Sequence, residues 1–568
     1  MAKYKADLQD INFNLFDVLK SDRHIEGFEA NDLAEIVNQF DKFVENEIYP
    51  TRQIGDEEGV VLKSDGVKVP EVFHKANQAF YANGWYGLGF SEELGGMPCP
   101  ESVMLACTSL INGANVSFSM YYGLTKAAMN VIIKKGSDIQ KEKMVTAMMA
   151  GEWGGTMCLT ESGAGSDVGA AKTTATPKGD GTYSIKGVKI FISSGDNDLY
   201  KNIVHLVLAR TPGAPEGTKG LSLFTVQKLN DDGSSNSVKC TKIEEKMGLH
   251  GSATCEITFG GEGECLGTLL GDEFEGMTNM FIMMNEARLL CGIQGESQAN
   301  LAYMLTEQYA KERSQFGKEI INLPDVKRLM LKMRSVSRGM RALSLYVGDL
   351  FDQAHSSQNA DLEAETALLT PICKAYCSEE GFNVAIDAIQ VHGGYGYCSE
   401  YGIEQFARDI KIATIYEGTN AIQAADFIMR KVLKDKGQAF SKLGEKIQKT
   451  LSNASDFKSE ASVIGKSLKD ATKILENFGG LAAKGNFDAV LYHSHEFLIY
   501  CGNLVVAWRL LESAQVAKEK MASANASEKE FYETKLVDFK VFCQQVLSRN
   551  TGITQSILEF EDLSTLAV

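Results

Sequence analysis

Asn31 and Asp32 open a segment whose apolar residues fall at Leu33, Ile36, Val37 and Phe40. That spacing predicts a helix with polar caps and one buried stripe. Ser102–Asn112 and Lys126–Lys135 also predict helix, with less regular spacing, and Gly95-Gly96 with Pro98 and Pro100 predicts a loop between such segments. The pattern changes near Gly151. From there to about Gly276, short β-rich runs alternate with turns, among them Tyr183–Ile185, Lys189–Ile192, Ile203–Leu208 and Leu221–Val226. Strands at this spacing predict a small antiparallel sheet or barrel. Thr211–Gly220, with two prolines and three glycines, predicts a loop. Helical spacing returns at Met277 and runs to about Lys434, and a last stretch is again helical and amphipathic. The expected organisation is α+β: a helical domain over 1–150, a β-domain over 151–276, a helical domain over 277–435 and an extra helical domain over 441–568.

Composition narrows the functional classes. A chain of 568 residues exceeds one ordinary domain, and 44% hydrophobic with 23% charged residues is a globular balance. The net charge of −17 argues against a nucleic-acid scaffold or a membrane-adsorbed protein. The last stretch carries 15 Lys/Arg against 16 Asp/Glu, so it has no basic face for either partner. The 12 cysteines include no Cys-x-x-Cys pair, and Cys373 and Cys377 lack a second pair or a nearby His, so no metal site is expected. Met1–Asp7 has no apolar signal core, and no run approaches the ~20 apolar residues of a membrane span. A cytoplasmic location without a membrane span is the resulting expectation.

Four separated segments carry chemistry upstream of, or beside, a fifth. Tyr416-Glu417-Gly418-Thr419 sets a carboxylate next to a glycine that lets a ligand approach the backbone. Such a carboxylate can serve as a general base on a carbon acid. Met157–Val168 runs from an apolar strand into a loop with Gly163 and Gly165, flanked by Thr160, Ser162 and Ser166. It lacks the G-x-G-x-x-G spacing of a dinucleotide fold. Lys189–Gly195 ends a strand with Phe191 and Ser193, which could press on a ring face and bond its edge. Tyr309–Lys318 places Arg313, able to grip a pyrophosphate, near a helix end. Gln390–Tyr397 contains the His392-Gly393-Gly394 turn, whose backbone N–H groups suit phosphate. Taken alone, these segments read more readily as a helix boundary, a turn, a core strand or a solvated helix end, and His392 as a packed histidine.

Together, in this order and spacing over roughly 30–435, these segments resemble the acyl-CoA dehydrogenase flavoprotein family. The start Tyr4–Phe13 and the extra C-terminal unit resemble its large subgroup of about 600 residues, which includes broad-range fatty acyl-CoA and 3-methylmercaptopropionyl-CoA dehydrogenases. The resemblance implies FAD as cofactor, an acyl-CoA substrate and formation of a trans-2-enoyl-CoA, with Glu417 as base and flavin N5 as hydride acceptor. It implies Leu159 and Thr160 at the pyrimidine and N5 edge, and Phe191 and Ser193 on the other side of the ring. Ser166 would lie near the CoA and flavin phosphates. Arg313, Phe316, Gln390 and Gly394 would hold the adenosine diphosphate part across a subunit interface, and Thr419 would contact the same cofactor. Tyr122, Asn285, Arg288 and Gly418 are the implied substrate contacts.

Some relatives carry the base directly before the arginine matching Arg288, but that position is Ala287 here. Glu286 is displaced by one residue, about 100° around a helix. Relatives also have Gln two residues after the Thr, where Ala421 stands, with Gln423 beyond. The family implies electron-transferring flavoprotein as electron acceptor and a homodimer, fatty acid β-oxidation as the setting, and leaves an acyl-CoA oxidase or a DNA-binding flavoprotein of the same fold as alternatives. Ser119–Leu124 is the expected pocket lining, with Tyr121 and Tyr122 either shortening a tunnel or packing in the core.

Overall fold

The amphipathic pattern around Leu33 becomes helix α1 (Ala30–Phe43) in the computed structural model, which describes residues 3–559 and 563–566. Leu33, Val37 and Phe40 are buried, as the stripe requires. The two helices expected between 102 and 135 lie on either side of a break at Asn115 (φ −156°, ψ 91°), within one nearly continuous element, α2 (Glu101–Lys135). The Asn115 side chain supplies what the broken ladder loses. Its Oδ1 accepts from Phe118 N at 3.0 Å and caps the second half, while its Nδ2 donates to Thr51 Oγ1 at 2.8 Å.

The β-rich stretch forms one eight-stranded sheet: β1 (Trp153–Cys158), β2 (Thr174–Pro177), β3 (Thr182–Ser193), β4 (Asn202–Ala209), β5 (Ser222–Gln227), β6 (Val238–Ile243), β7 (Thr254–Phe259) and β8 (Leu266–Leu269). The order is β1-β4-β5-β8-β3-β7-β6, with β2 on β3. It is antiparallel except for the parallel β1–β4 pair. The runs at 183–185 and 189–192 are thus one strand. Its register against β7 shifts between Lys189 and Ile192, where Phe191 takes φ +57°. A bulge of this kind re-aims a side chain, and here it leaves Phe191 60% exposed.

After the sheet come the long helices α3 (Gly276–Glu312), α4 (Pro324–Ser357) and α5 (Ala360–His392), then the short α6 (Asn420–Asp426) and, among the last helices, α7 (Ser494–Lys520) and α8 (Ala526–Gln545). Helices α3 and α5 approach at backbone distance. A Cβ on Gly295 would lie 2.2 Å from Cys377 O, so only glycine permits this crossing. The chain forms two compact units, one of Met1–Lys42, Cys99–Gly113 and Arg288–Val568, the other of Phe43–Pro98 and Ala114–Ala287.

The expectation that no run has the length and apolarity of a membrane span is corrected by α2 and α7, whose richest windows reach mean hydropathies of 1.3 and 1.2. Those windows are 83% and 89% buried inside the protein, the condition of core helices. All twelve cysteines are free thiols. Among the described residues, no group of three or more His, Cys, Asp or Glu is placed to hold a metal ion.

Candidate active site

The turn that carries Glu417 is held in an unusual conformation. Glu417 has φ +56° and Gly418 φ +84°, two successive left-handed residues. For a non-glycine residue this costs about 1 kcal/mol or more, so neighbouring bonds must enforce it. Gln423 Nε2 donates to Glu417 O at 2.9 Å, and Lys374 Nζ on α5 donates to Gly418 O at 2.8 Å. Thr419 caps α6 by accepting from Ile422 N at 3.3 Å. Tyr416 donates its hydroxyl to Gln294 Oε1 on α3. The turn is thereby tied to α3, α5 and α6 at once.

The Glu417 carboxyl keeps a partly open surface but is closely surrounded by protein. Burial pushes its pKa up to about 7, against the opposing pull of the Arg288 and Lys374 cations. Arg288 sits 3.6 Å from Asp426 at the end of α6. Burial also brings Lys374 down to about 8, and Cys291 and Glu417 act in the other direction. A carboxylate that titrates near neutrality, with cations close by, suits proton abstraction.

The second unit holds the residues expected at a flat ligand. The peptide after β1 is bound twice to β3: Ile190 N donates to Thr160 O at 2.9 Å, and Lys189 Nζ donates to Leu159 O at 2.9 Å. Lys189 is fully buried and pairs with Glu161 Oε1 at 2.8 Å. Glu161 also accepts from Lys172 N at 2.7 Å and from Thr173 N at 3.0 Å. Burial alone would raise its pKa, yet Lys189 and these donors hold it at about 2. The pair fixes the Leu159–Thr160 corner next to the bulge that presents Phe191, and Ser193 is half-buried on the same strand. Ser166 is exposed on the following loop, and a Cβ at Gly163 or Gly165 would meet nothing within 4 Å. An exposed ring held by a bulge, beside open glycine backbone, is a fit surface for FAD's planar and phosphorylated parts.

Arg313 and Phe316 lie on a two-stranded hairpin, Ser314–Gln315 with Lys318–Glu319, whose turn residues Phe316 and Gly317 have φ +54° and +75°. Phe316 is 91% exposed. Arg313 lies 5.4 Å over the Tyr395 ring, so the structure brings the hairpin and the Gln390–Tyr397 turn together. Gln390 and Gly394 are exposed there. His392 stacks on Tyr309 at 4.1 Å and its Nδ1 engages Ala388 O, which makes it a packed histidine.

Tyr122 and Tyr121 are core residues rather than open lining. Tyr122 packs 4.7 Å from Phe80. Tyr121 donates its hydroxyl to Gly251 O and accepts from Ala253 N, both at 2.9 Å. Asn285 is exposed, and Glu286 is engaged by Asn130 Nδ2 at 3.0 Å. Lys374, Asn420, Gln423 and the Glu161–Lys189 pair are absent from the sequence-based set. Lys374 lies in the apolar run Ile372–Cys377, and a lysine there was the available signal.

Comparison with known proteins covers the whole chain. Residues 31–152, 156–261 and 275–433 match the family models for the N-terminal, middle and C-terminal domains of acyl-CoA dehydrogenase. Residues 443–567 match the model described as acetyl-CoA dehydrogenase C-terminal like. The chain is 37% identical to 3-methylmercaptopropionyl-CoA dehydrogenase of Ruegeria pomeroyi, over 96% of each protein. It is 35% identical to the broad-specificity linear acyl-CoA dehydrogenase FadE5 of Mycobacterium tuberculosis, over 99% of this chain and 98% of the relative. Among solved structures, Caenorhabditis elegans ACDH-11 in complex with C11-CoA has a TM-score of 0.81 at 20% identity, covering 98% of this chain and 96% of its own.

Proposed function

The chain belongs to the acyl-CoA dehydrogenase family and oxidises an acyl-CoA thioester with FAD, and we propose that Glu417 is the base that removes the thioester's α-proton. The observation that supports this is the Glu417 turn itself. It is a left-handed, triply anchored turn bearing a carboxyl raised to about 7 by burial. A thioester α-proton is far less acidic than a free carboxylic acid, so the base must be strengthened. Loss of water around Glu417 does this, and an acyl chain that displaces more water strengthens it further. The Glu417 backbone N–H offers a donor to the thioester oxygen, where negative charge builds as the proton leaves. FAD, when bound, supplies the acceptor for the β-hydrogen as hydride, which gives the trans-2-enoyl product.

In the same reading, Leu159, Thr160, Phe191 and Ser193 hold the flavin ring, and Ser166, Arg313, Phe316, Gln390, Gly394 and Thr419 its phosphate and adenosine parts. The exposed rings of Phe316, Tyr395 and Tyr397 support a homodimer in which this surface is covered. Arg288 and Gly418 line the thioester and CoA side, and Asn285 is carried only by the resemblance. Electron-transferring flavoprotein as acceptor, a cytoplasmic location, and the four-part division 1–150, 151–276, 277–435 and 441–568 belong to the same proposal. The relatives matched over nearly full length are dehydrogenases, which favours this reaction over an oxidase or a DNA-binding protein.

The test is an anaerobic titration of the purified holoenzyme with acyl-CoAs of increasing length. Bleaching of the flavin absorbance by one range of chains, lost in Glu417→Gln with FAD retained, is the expected result. Bleaching that survives in Glu417→Gln removes it as the base. Peroxide formation at the turnover rate in air moves the assignment to an oxidase.

A further inference from the structure

Lys374 is wholly buried, and its ammonium bonds neutral oxygens. It donates to two points of the catalytic turn: Gly418 O at 2.8 Å and Asn420 Oδ1 at 3.0 Å. Asn420 Nδ2 shares its two hydrogens among three acceptors on α5, Ala375 O at 3.3 Å, Ser378 Oγ at 3.2 Å and Glu379 Oε2 at 3.2 Å. Glu379 is engaged from the other side by His495 Nε2 at 3.0 Å, at the start of α7. His495 belongs to the C-terminal stretch, within the 443–567 match to the separate C-terminal-like model. A continuous set of bonds therefore runs from the C-terminal helices through Glu379 and Asn420 to the turn that bears Glu417.

We propose that Lys374 and Asn420 form a positioning clamp for the catalytic base, held closed by the His495–Glu379 pair of the C-terminal domain. This rests on Glu417 being the base. The clamp has two actions. It fixes the left-handed Glu417-Gly418 backbone, which has no intrinsic preference for that shape. It also sets a cation beside the carboxylate, which favours the ionised, proton-accepting form. The groups facing Lys374 are Cys291 and Arg288 from α3, Glu417 from the turn and Glu379 from α5 itself. Arg288 is the other cation acting on Glu417, so loss of Lys374 leaves the carboxyl less ionised at a given pH but not without a cation. His495 is raised by its bond to Glu379, so the pair is ionic below its titration and keeps only a hydrogen bond from the neutral imidazole as pH rises through it.

The experiment uses FAD-loaded wild type, Lys374→Met, Lys374→Gln, Lys374→Arg and His495→Gln. One arm is the pH dependence of single-turnover flavin reduction without oxygen. The other is amide hydrogen exchange of the 411–423 segment without substrate. In Lys374→Met the midpoint for base ionisation should move up by about one pH unit, making reduction about tenfold slower at pH 6. The difference should close above pH 8, where Lys374 itself loses its charge at about 8. Lys374→Arg should restore the midpoint, and Lys374→Gln should shift it while retaining more protection. Exchange in 411–423 should rise about tenfold in Lys374→Met and measurably in His495→Gln. An unmoved midpoint in Lys374→Met and Lys374→Gln overturns the clamp's action on the base, even if exchange rises. Unchanged exchange in His495→Gln overturns the C-terminal link. If Lys374→Met does not fold, Lys374→Gln decides the charge effect. A wild type that no acyl-CoA reduces defeats the dehydrogenase reading instead, and leaves the exchange arm to judge the clamp by itself.

Discussion

At the scale of the residue, the proposal for Glu417 starts in the sequence, where Glu-Gly-Thr stands in register with four other segments. Its environment was not legible there. The raised carboxyl follows from packing that no local pattern encodes, and the strain at φ +56° is enforced by Gln423 and Lys374, remote or discounted in sequence. The raised pKa has a cost in stability with a definite sign. Between the ordinary value of 4.5 and the folded value of about 7, the native state binds more protons than the unfolded chain. Stability therefore falls as pH rises across that window and stays reduced above it. Glu417→Gln removes the charge that is buried at high pH. It should lower the rate of flavin reduction by about 10²–10⁴-fold. Discounted for the partly open surface, it should also stabilise the protein by about 1–2 kcal/mol at pH 8, with little gain at pH 5. Thermal unfolding of the two proteins at both pH values checks this; a variant less stable at pH 8 would contradict the burial argument.

At the scale of the element, short β-rich runs between turns marked the strands well, including β4 and β5, which are buried at nearly every position and so show no alternation. The two pieces of α2 were legible as separate helices, but the break between them at Asn115 was not, because the element is buried on most sides and shows no single stripe. The bulge in β3 was invisible for a different reason: it depends on pairing with β7, some 60 residues on. Its consequence, the exposed Phe191, depends on the neighbouring Glu161–Lys189 pair that fixes the strand end. Lys189→Met would leave Glu161 buried with only its backbone and hydroxyl donors. Breaking one side of such a pair costs about 3–5 kcal/mol. The variant should purify with much less FAD and unfold at a lower temperature than wild type. Glu161 is held at about 2, so its contribution is present above the ordinary 4.5 and fades as pH falls through the folded value. The gap between variant and wild type should accordingly narrow in acid. Full FAD occupancy and an unchanged melting temperature would show that the strand end is fixed by other contacts.

At the scale of the whole molecule, helix, sheet, helix and a further helical segment were all legible, but what ties the first residues to the last was not. Asp7 and Asp10 near the N-terminus enter a buried ionic network in the unit that contains the C-terminal helices. Arg338 on α4 bonds Asp7 at 2.8 Å and Asp538 on α8 at 2.9 Å. Arg341 bonds Asp10 at 3.0 Å and Glu296 on α3 at 3.2 Å, and Lys535 on α8 also bonds Asp10. No sequence pattern foretells this, since Asp7 and Asp10 lie 331 residues from Arg338 and Arg341 respectively. Four buried acids here meet Arg334, Arg338, Arg341 and Lys535, so the cluster is balanced and the loss of any one charge unbalances it. Asp7 shows the strength of this. Burial would raise it, but Arg338 and Arg341 hold it well below the usual carboxylate range, so its contribution persists far into acid. Asp10→Asn leaves Arg341 and Lys535 undercompensated in a fully buried site, and should destabilise the protein by about 3–5 kcal/mol. The companion Asp10→Asn/Lys535→Met removes one acid and one base together and should recover part of that loss, because the uncompensated charge and not the missing bond is the larger cost. Limited proteolysis should then show α8 cut faster in the single variant than in the double, with the sheet fragment unaffected in both. A double variant no more stable than the single would mean that the network contributes through its individual hydrogen bonds, and that charge balance is not what holds the two ends of the chain together.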